Sequence, residues 1–272
     1  MAKIVLTLLS GSLVGLTLGL LGGGGSILAV PLLLYVVGLD QPHRVIGTTA
    51  LAVALNAYAN LYAHWRAGHV RWPEATAFTV PGLFGAFFGS SLGKAVRGPA
   101  LLALFALLML AVAVVMWRRA ATPEPVRAAD GTDTSPVALS RPNDGRTALV
   151  RAAGAGAVVG TLSGFFGIGG GFLVVPGLVL STGMPMIIAV GTSLFAVGTF
   201  GLTTAVNYAL SGLVSLPIMA EYLAGGLAGG WLGTRWASRL AAAKGVLNRL
   251  FAGFIALVAV YMLAVNGPAL FG

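Results

Sequence analysis

The chain carries one glycine-rich stretch twice, as GLLGGGGSILAVP at residues 19–31 and as GFFGIGGGFLVVP at residues 164–176. Glycine inside a helix costs roughly 1 kcal/mol relative to alanine, so three or four glycines together predict a helix break. Each stretch lies within a long run without charged residues. Because a break in an apolar layer leaves backbone N–H groups without helical partners, it must face protein or a water-filled cavity. We name residues 22–25 the first break and residues 167–170 the second break.

The composition is that of a membrane protein. The 272 residues are 57% hydrophobic and only 8% charged, with a mean hydropathy of +0.93. Residues 152–220 contain no Asp, Glu, Lys, Arg or His, whereas one membrane span needs only about 20 apolar residues. These features predict an all-α polytopic protein of the cell membrane. The net charge of +9 comes from basic residues between the apolar segments, where they act as topology signals, so no nucleic-acid partner is expected.

Four apolar segments are predicted in the first half. Segment a, residues 4–39, would be about 54 Å long as one helix, far more than a hydrocarbon core of about 30 Å. It must therefore fold back or kink strongly at the first break. Segments b (residues 45–63), c (residues 75–93) and d (residues 99–117) each have the length of one crossing. Residues 120–148 are polar and proline-bearing, which predicts a flexible linker.

The second half repeats the first. A shift of 145 residues aligns the two breaks, and a shift of 144 aligns Gly47-Thr48-Thr49 with Gly191-Thr192-Ser193. Residues 1–119 and 149–272 are therefore predicted to be two membrane repeats of four segments each. If segment a returns to its own side, the repeats are inverted and twelve of the 16 Lys and Arg residues lie on one side. The positive-inside rule favours this arrangement over the nearly even split of parallel repeats, which predicts a cytoplasmic linker and both termini outside.

The breaks are predicted to form a substrate-binding site. Helix ends at glycines offer free N–H groups and a partial positive charge, and two of them from inverted repeats would converge near the midplane. The alternative is close helix packing through small residues, which is also our interpretation of the glycine ladders in segment c and its copy. The candidate binding residues at and beside the breaks are Gly23, Gly24, Gly25, Ser26, Gly169, Gly170 and Gly171.

A polar stripe along segment b and its copy provides further candidates. Polar side chains in lipid are costly, so they should face protein or water, and the alternative to a binding role is hydrogen bonding between helices. The candidates are Thr48, Thr49, Asn56, Asn60, Thr192, Ser193, Thr204 and Asn207. Glu221, His64 and Arg44 are candidates for proton coupling or for drawing anions inward. His64 and His69 flank a basic loop and are expected to sit in water rather than bind metal, and no cofactor or metal is predicted.

These motifs resemble the TauE/SafE group, the 4-toluene sulfonate uptake permease family. The resemblance rests on residues 164–171 with Pro176, on Gly191-Thr192-Ser193, and on their copies in the first half. The first copy differs in having Gly23 where Ile168 stands and Thr49 where Ser193 stands. The resemblance implies transport of a small sulfur-containing anion, such as sulfite, sulfoacetate or a similar sulfonate.

The function hypothesis is therefore a secondary transporter for such an anion, working by alternating access and coupled to protons. A channel, or a transporter for a cation or metal ion, is the first alternative. A membrane-embedded lipid phosphatase is the second, but it needs carboxylates and an Arg or Ser/His set near its site. No Arg or His lies beside either break, so we expect no enzyme activity. The expected partners are the lipid bilayer, the anion and a coupling proton.

Overall fold

The computed structural model describes residues 2–121, 142–167, 171–240 and 246–266, and every regular element in these ranges is a helix. The first half contains α1 (Ala2–Leu21), a 3-10 turn (Gly22–Leu28), α2 (Ala29–Pro31), a π-helical turn (Leu32–Val36), α3 (Pro42–Arg66), α4 (Trp72–Ala95) and α5 (Gly98–Ala121). The second half contains α6 (Pro142–Phe166), α7 (Gly171–Thr182), α8 (Met186–Ala209), α9 (Leu216–Leu240) and α10 (Val246–Asn266).

Several of these helices have the length and apolarity of membrane spans. Within the part of the chain that the structure describes, five helices meet that test: Ala2–Leu21, Pro42–Arg66, Trp72–Ala95, Arg146–Phe166 and Met186–Ala209. The protein is thus an all-helical, multi-pass membrane protein, as its composition predicts. Residues 122–141 of the predicted linker lie outside the described residues, and the last seven residues of that linker, 142–148, belong to helix α6, which begins at Pro142.

Segment a folds back at the first break, as its length predicts. Helix α1 ends at Leu21, and Gly22 has a φ of +63°, a left-handed conformation that favours glycine. Residues 22–36, the first return arm, then bring the chain back, so that Lys3 and Leu39, from opposite ends of the segment, line the same cavity. The second copy breaks in the same way, because Gly167 has a φ of +67° directly after α6. Helix α7 is the second return arm.

Each long helix of one half packs chiefly against a helix of the other half. Helix α1 packs along α9, α4 along α6, α3 against α8, and α5 against α10. The first two pairs are equivalent in the repeat. Helix α6 is the copy of α1 and α9 is the copy of α4, so the pair α1–α9 corresponds to the pair α6–α4. The two halves therefore share one interior.

Glycines permit the closest of these contacts. A side chain at Gly15 would overlap the backbone of Gly226 in α9, and one at Gly160 would overlap the backbone of Gly82 in α4. Because these glycines have no side chains, the helix backbones can touch. Such close packing stabilises helix association in a bilayer, where no hydrophobic effect drives helices together. The interpretation of the glycine ladders as packing surfaces is confirmed, since their members contact α6 or α1: Gly82, Gly85, Gly89 and Gly93, and Gly225, Gly229 and Gly233.

Helices α3 and α8, which are copies of each other, run antiparallel. The start of α3 lies against the end of α8, where Gly47 contacts Tyr208. Further along, the hydroxyls of Tyr58 and Thr199 lie 3.1 Å apart. This pairing places the middle of α3, around Asn56, beside the middle of α8.

Candidate functional site

The two return arms begin in direct contact, deep in the interior. A Cβ on Gly23 would overlap the backbone of Gly171, and a Cβ on Gly171 would overlap that of Gly23. The hydroxyl of Ser26 donates a 2.8 Å hydrogen bond to the carbonyl oxygen of Gly23 and also borders Gly171. Gly24 and Gly25 belong to the same 3-10 turn. The candidates Gly169 and Gly170 lie outside the described residues.

Ser193 connects the first break to α8. Its hydroxyl accepts a 3.2 Å hydrogen bond from the N–H of Gly23 and donates a 2.8 Å bond to the carbonyl oxygen of Val190. The hydroxyl thereby meets one of the N–H groups that a helix start leaves without partners. Its counterpart Thr49 instead donates to the carbonyl oxygens of Val45 and Ile46 in its own helix. Among the described residues, which omit positions 168–170 of the second break, Ser193 is the copy that touches a break through a hydrogen bond.

The residues just before this pair form two equivalent anchors. The hydroxyl of Thr48 accepts a 2.9 Å hydrogen bond from the N–H of Ser215, which precedes α9. The hydroxyl of Thr192 accepts a 3.1 Å bond from the N–H of Arg71, which precedes α4. Each hydroxyl therefore meets a donor at the start of a helix in the opposite half. This contact is the same in both copies.

Asn56 is a buried amide without hydrogen-bond partners among the described residues. Its side chain is 0% exposed and packs against Gly226 of α9, yet neither its oxygen nor its nitrogen has a bond there. Leaving a buried donor or acceptor without a hydrogen bond costs about 1–3 kcal/mol of stability. Asn60, one turn on, is satisfied: its Nδ2 donates to the carbonyl oxygen of Asn56 and its Oδ1 accepts from Thr234. Asn56 thus keeps both a donor and an acceptor for a further group.

His64 is buried, and the expectation that it sits in water is wrong. The side chain is 0% exposed, because the end of α3 packs against the end of α1. Its Nε2 donates a 3.0 Å hydrogen bond to the carbonyl oxygen of Gly19, three residues before the first break. Its Nδ1 has no partner within the described ranges. The ring lies 5.7 Å from that of His69, whose partial burial in the loop lowers its pKa.

Asn207 belongs to a polar cluster that the sequence analysis did not foresee. Its Oδ1 accepts a 2.7 Å hydrogen bond from the Nζ of Lys94, and its Nδ2 donates to the hydroxyls of Ser90 and Ser91. The cluster ties the end of α4 to the end of α8. The neighbouring candidate Thr204 is also buried, and its hydroxyl has no partner among the residues described. In the sequence, Lys94 was interpreted only as a topology charge. It follows Ser90 and Ser91 at helical spacing, however, and this spacing indicates a polar cluster on one face of α4.

The two charged coupling candidates lie nearer the surface. Glu221 is partly exposed in the second turn of α9, beside the fully buried Tyr222. Arg44 is exposed in the first turn of α3 and lines a cavity together with Lys3. Neither lies at the break that Ser193 contacts.

The candidates therefore fall into separate groups rather than one. The first break brings together Gly23, Ser26, Gly171 and Ser193. Asn56 and Asn60 form a second group against α9, and Asn207 with Lys94 forms a third. Thr48 and Thr192 are held in helix-start contacts. The first two groups lie in the shared interior of the two halves, where the amide of Asn56 is buried without partners among the described residues.

Comparison with known proteins agrees with this membrane architecture. The family model described as "Sulfite exporter TauE/SafE" matches residues 7–262. A "probable membrane transporter protein" of Xylella fastidiosa (strain Temecula1) is 49% identical over 261 residues, covering 96% of this chain and 95% of that protein. The "probable membrane transporter protein YdhB" of Bacillus subtilis is 24% identical over 225 residues, covering 82% of this chain and 86% of its own. No solved structure matches the chain.

Proposed function

The chain belongs to the sulfite exporter TauE/SafE family and is a multi-pass membrane transporter, and from this premise we propose that it carries a small sulfur-containing anion across the cytoplasmic membrane. Sulfite, sulfoacetate and similar sulfonates are the proposed substrates. The name of the matching family model supports this class, and the relatives are named as transporters rather than enzymes.

The observation that carries the proposal is the contact between Gly23 and Gly171. Both residues stand at the start of a helical return arm, where the helix dipole is positive and the first backbone N–H groups lack partners within the helix; the N–H of Gly23 is met by the hydroxyl of Ser193. Such ends bind anions without a buried cation. The Nδ2 of Asn56, which has no partner among the described residues, adds a neutral donor that can hydrogen-bond a sulfonate or sulfite oxygen, and the hydroxyl of Ser193 holds the N–H of Gly23 in place. An anion bound in this way remains mobile, because no fixed positive charge holds it.

Transport is proposed to proceed by alternating access between inverted repeats. The antiparallel pairing of α3 with its copy α8 supports the inverted relation, because parallel copies of a membrane helix would run in the same direction. The distribution of Lys and Arg supports a cytoplasmic linker with both termini outside. In this arrangement one set of helices rocks against the other around a site near the midplane.

We assign proton coupling to His64 ahead of Glu221 and Arg44. His64 is fully buried, and its ring is hydrogen-bonded to the carbonyl oxygen of Gly19. This bond connects the ring to the end of α1 beside the first break. Its Nδ1 has no partner among the described residues and is the ring nitrogen that a coupling proton would occupy. Protonation at Nδ1 would place a positive charge close to the proposed anion site, which links the two ions.

Uptake into proteoliposomes tests the proposal. Labelled sulfite, sulfoacetate and a dicarboxylic acid without sulfur are compared, with and without a proton gradient. We expect saturable uptake of the sulfur anions and a loss of about tenfold in Ser193→Ala, since one lost hydrogen bond is worth about 1.4 kcal/mol. The control is Thr203→Ala, which should transport normally because, among the described residues, this hydroxyl bonds only to the carbonyl oxygen of Thr199 in the same helix. Absence of any anion flux by folded protein would refute the proposal.

A further inference from the structure

A polar cavity lies at the end of the molecule where segment a begins and ends. It has a volume of about 420 Å³, within the roughly 300–1,000 Å³ typical of small-molecule sites. Its wall includes Lys3 of α1, Asp40 of the loop before α3, Arg44 of α3 and Ser215 before α9. The cavity is therefore assembled from both halves of the chain.

Positive charge dominates this cavity. Lys3 and Arg44 supply two cations against the single carboxylate of Asp40. Neither cation forms an ion pair within 4.0 Å in the described structure, where the recorded ion pair joins Arg71 and Glu74 elsewhere. A cleft with one excess sign of charge concentrates small ions of the opposite sign. The two cations are thus available to a bound anion.

The floor of the cavity is fixed rather than loose. The hydroxyl of Thr48 donates a 2.7 Å hydrogen bond to the carbonyl oxygen of Arg44 and accepts one from the N–H of Ser215. These bonds hold the backbone that bears the arginine to the start of α9. Preorganised positions reduce the ordering cost of binding.

The cavity lies close to the second break along α3. Val45 lines the cavity, while the next residue, Ile46, contacts Gly167. The cavity and the second break therefore meet α3 at consecutive residues. An anion bound in this cavity would lie near the second break but outside the shared interior of the two halves.

We propose that this cavity is a separate capture site for a small oxyanion, held by Lys3 and Arg44 before transport. Its identification with the transported sulfonate rests on the proposed function above. The same charges also fit the phosphate of a lipid headgroup, so the test must distinguish a free anion from lipid.

The test is equilibrium binding of sulfoacetate to the full-length protein by titration calorimetry at low ionic strength. We expect two classes of site in the wild type, and the loss of one class in Arg44→Gln and in Lys3→Gln. In each variant the affinity of the lost class should fall at least about tenfold, because focused charge of this kind changes ion capture by roughly 10–1,000-fold. High salt should weaken the same class by screening. Arg97→Gln removes an exposed cation that does not line the cavity and should keep both classes.

Three outcomes decide the matter. An Arg44→Gln isotherm identical to that of the wild type overturns the capture site. Loss of the Arg44-dependent class in nanodiscs of phosphatidylglycerol, but not of phosphatidylcholine, also overturns it, because the cavity would then hold a lipid headgroup. Arg44-dependent binding in both nanodiscs confirms it, even if proteoliposomes show no uptake. That last combination would refute the proposed transport of sulfoacetate and leave the capture site standing.

Discussion

The two halves of the molecule repeat their framework contacts faithfully. Gly22 packs against Val190 of α8, and Gly167 packs against the equivalent Ile46 of α3. The helix-start bonds of Thr48 and Thr192 are likewise equivalent, as described above. Equivalent contacts of this kind hold each break against the opposite half. What is duplicated in this protein is thus the scaffold.

The buried polar residues in the middle of the two copies differ. Asn56 in α3 stands where α8 has Phe200, and His64 stands where α8 has Tyr208. At these two paired positions, the unbonded amide and the buried imidazole belong to the first half. From this difference we infer that α3 supplies chemistry while α8 mainly supplies support, with Ser193 as its contribution to the site. The predictions below test this division.

The largest effect is expected where the two return arms touch. Alanine at Gly171 or at Gly23 would place a methyl group into the backbone of the other glycine, so both variants should lose folded protein almost completely. Fluorescence-detected size-exclusion chromatography measures the folded fraction. Gly154→Ala, at a helical position with open space around it, is the control and should be neutral or stabilising. A folded, active Gly171→Ala protein would show that the arms do not meet as described.

A smaller effect is expected from the unequal pair His64 and Tyr208. Glutamine at position 64 retains an N–H donor for the carbonyl oxygen of Gly19 but cannot take up a proton. His64→Gln should therefore fold normally, keep its uptake without a gradient and lose stimulation by a proton gradient. Tyr208→Phe should keep the stimulation, because the hydroxyl of Tyr208 makes no hydrogen bond within the described chain. Equal gradient responses in the two variants would remove coupling from His64.

The smallest effect is expected from the equal pair Thr48 and Thr192. Replacement of either by valine leaves one helix-start N–H without its acceptor, which costs about 1–2 kcal/mol in each variant. The two melting temperatures should fall by similar amounts, and uptake per folded molecule should fall by similar factors. If Thr192→Val keeps normal uptake while Thr48→Val loses it, then Thr48 binds substrate, which is the role predicted for it from the sequence. The pair would then not be purely structural.

Much of this architecture could be predicted from the sequence because it depends on local chemistry. The glycine runs predict the breaks, and the length of segment a predicts its return. The repeat is visible because both copies keep the same glycines and the same Gly-Thr pair. These signals need no knowledge of which helices touch.

The roles of individual polar residues could not be predicted in this way. Thr48 and Asn56 look alike as polar positions in an apolar helix, but only the pairing of α3 with α9 separates an anchored hydroxyl from an unbonded amide. His64 was predicted to be exposed to water because basic residues follow it in the sequence. Packing of α3 against α1 buries it instead. Lys94 was counted as a surface charge, whereas the end of α8 supplies it with Asn207 as a partner.

Comparing Asn56→Leu with Phe200→Leu tests the central claim most directly. Both variants are assayed for sulfoacetate uptake per folded molecule and for melting temperature. Leucine at position 56 removes an unsatisfied buried amide, so stability should hold or rise, while uptake should fall at least about tenfold. Phe200→Leu should lower stability by about 1 kcal/mol and keep uptake within about threefold of the wild type. Normal uptake by Asn56→Leu, together with its loss in Phe200→Leu, would contradict the assignment of chemistry to α3.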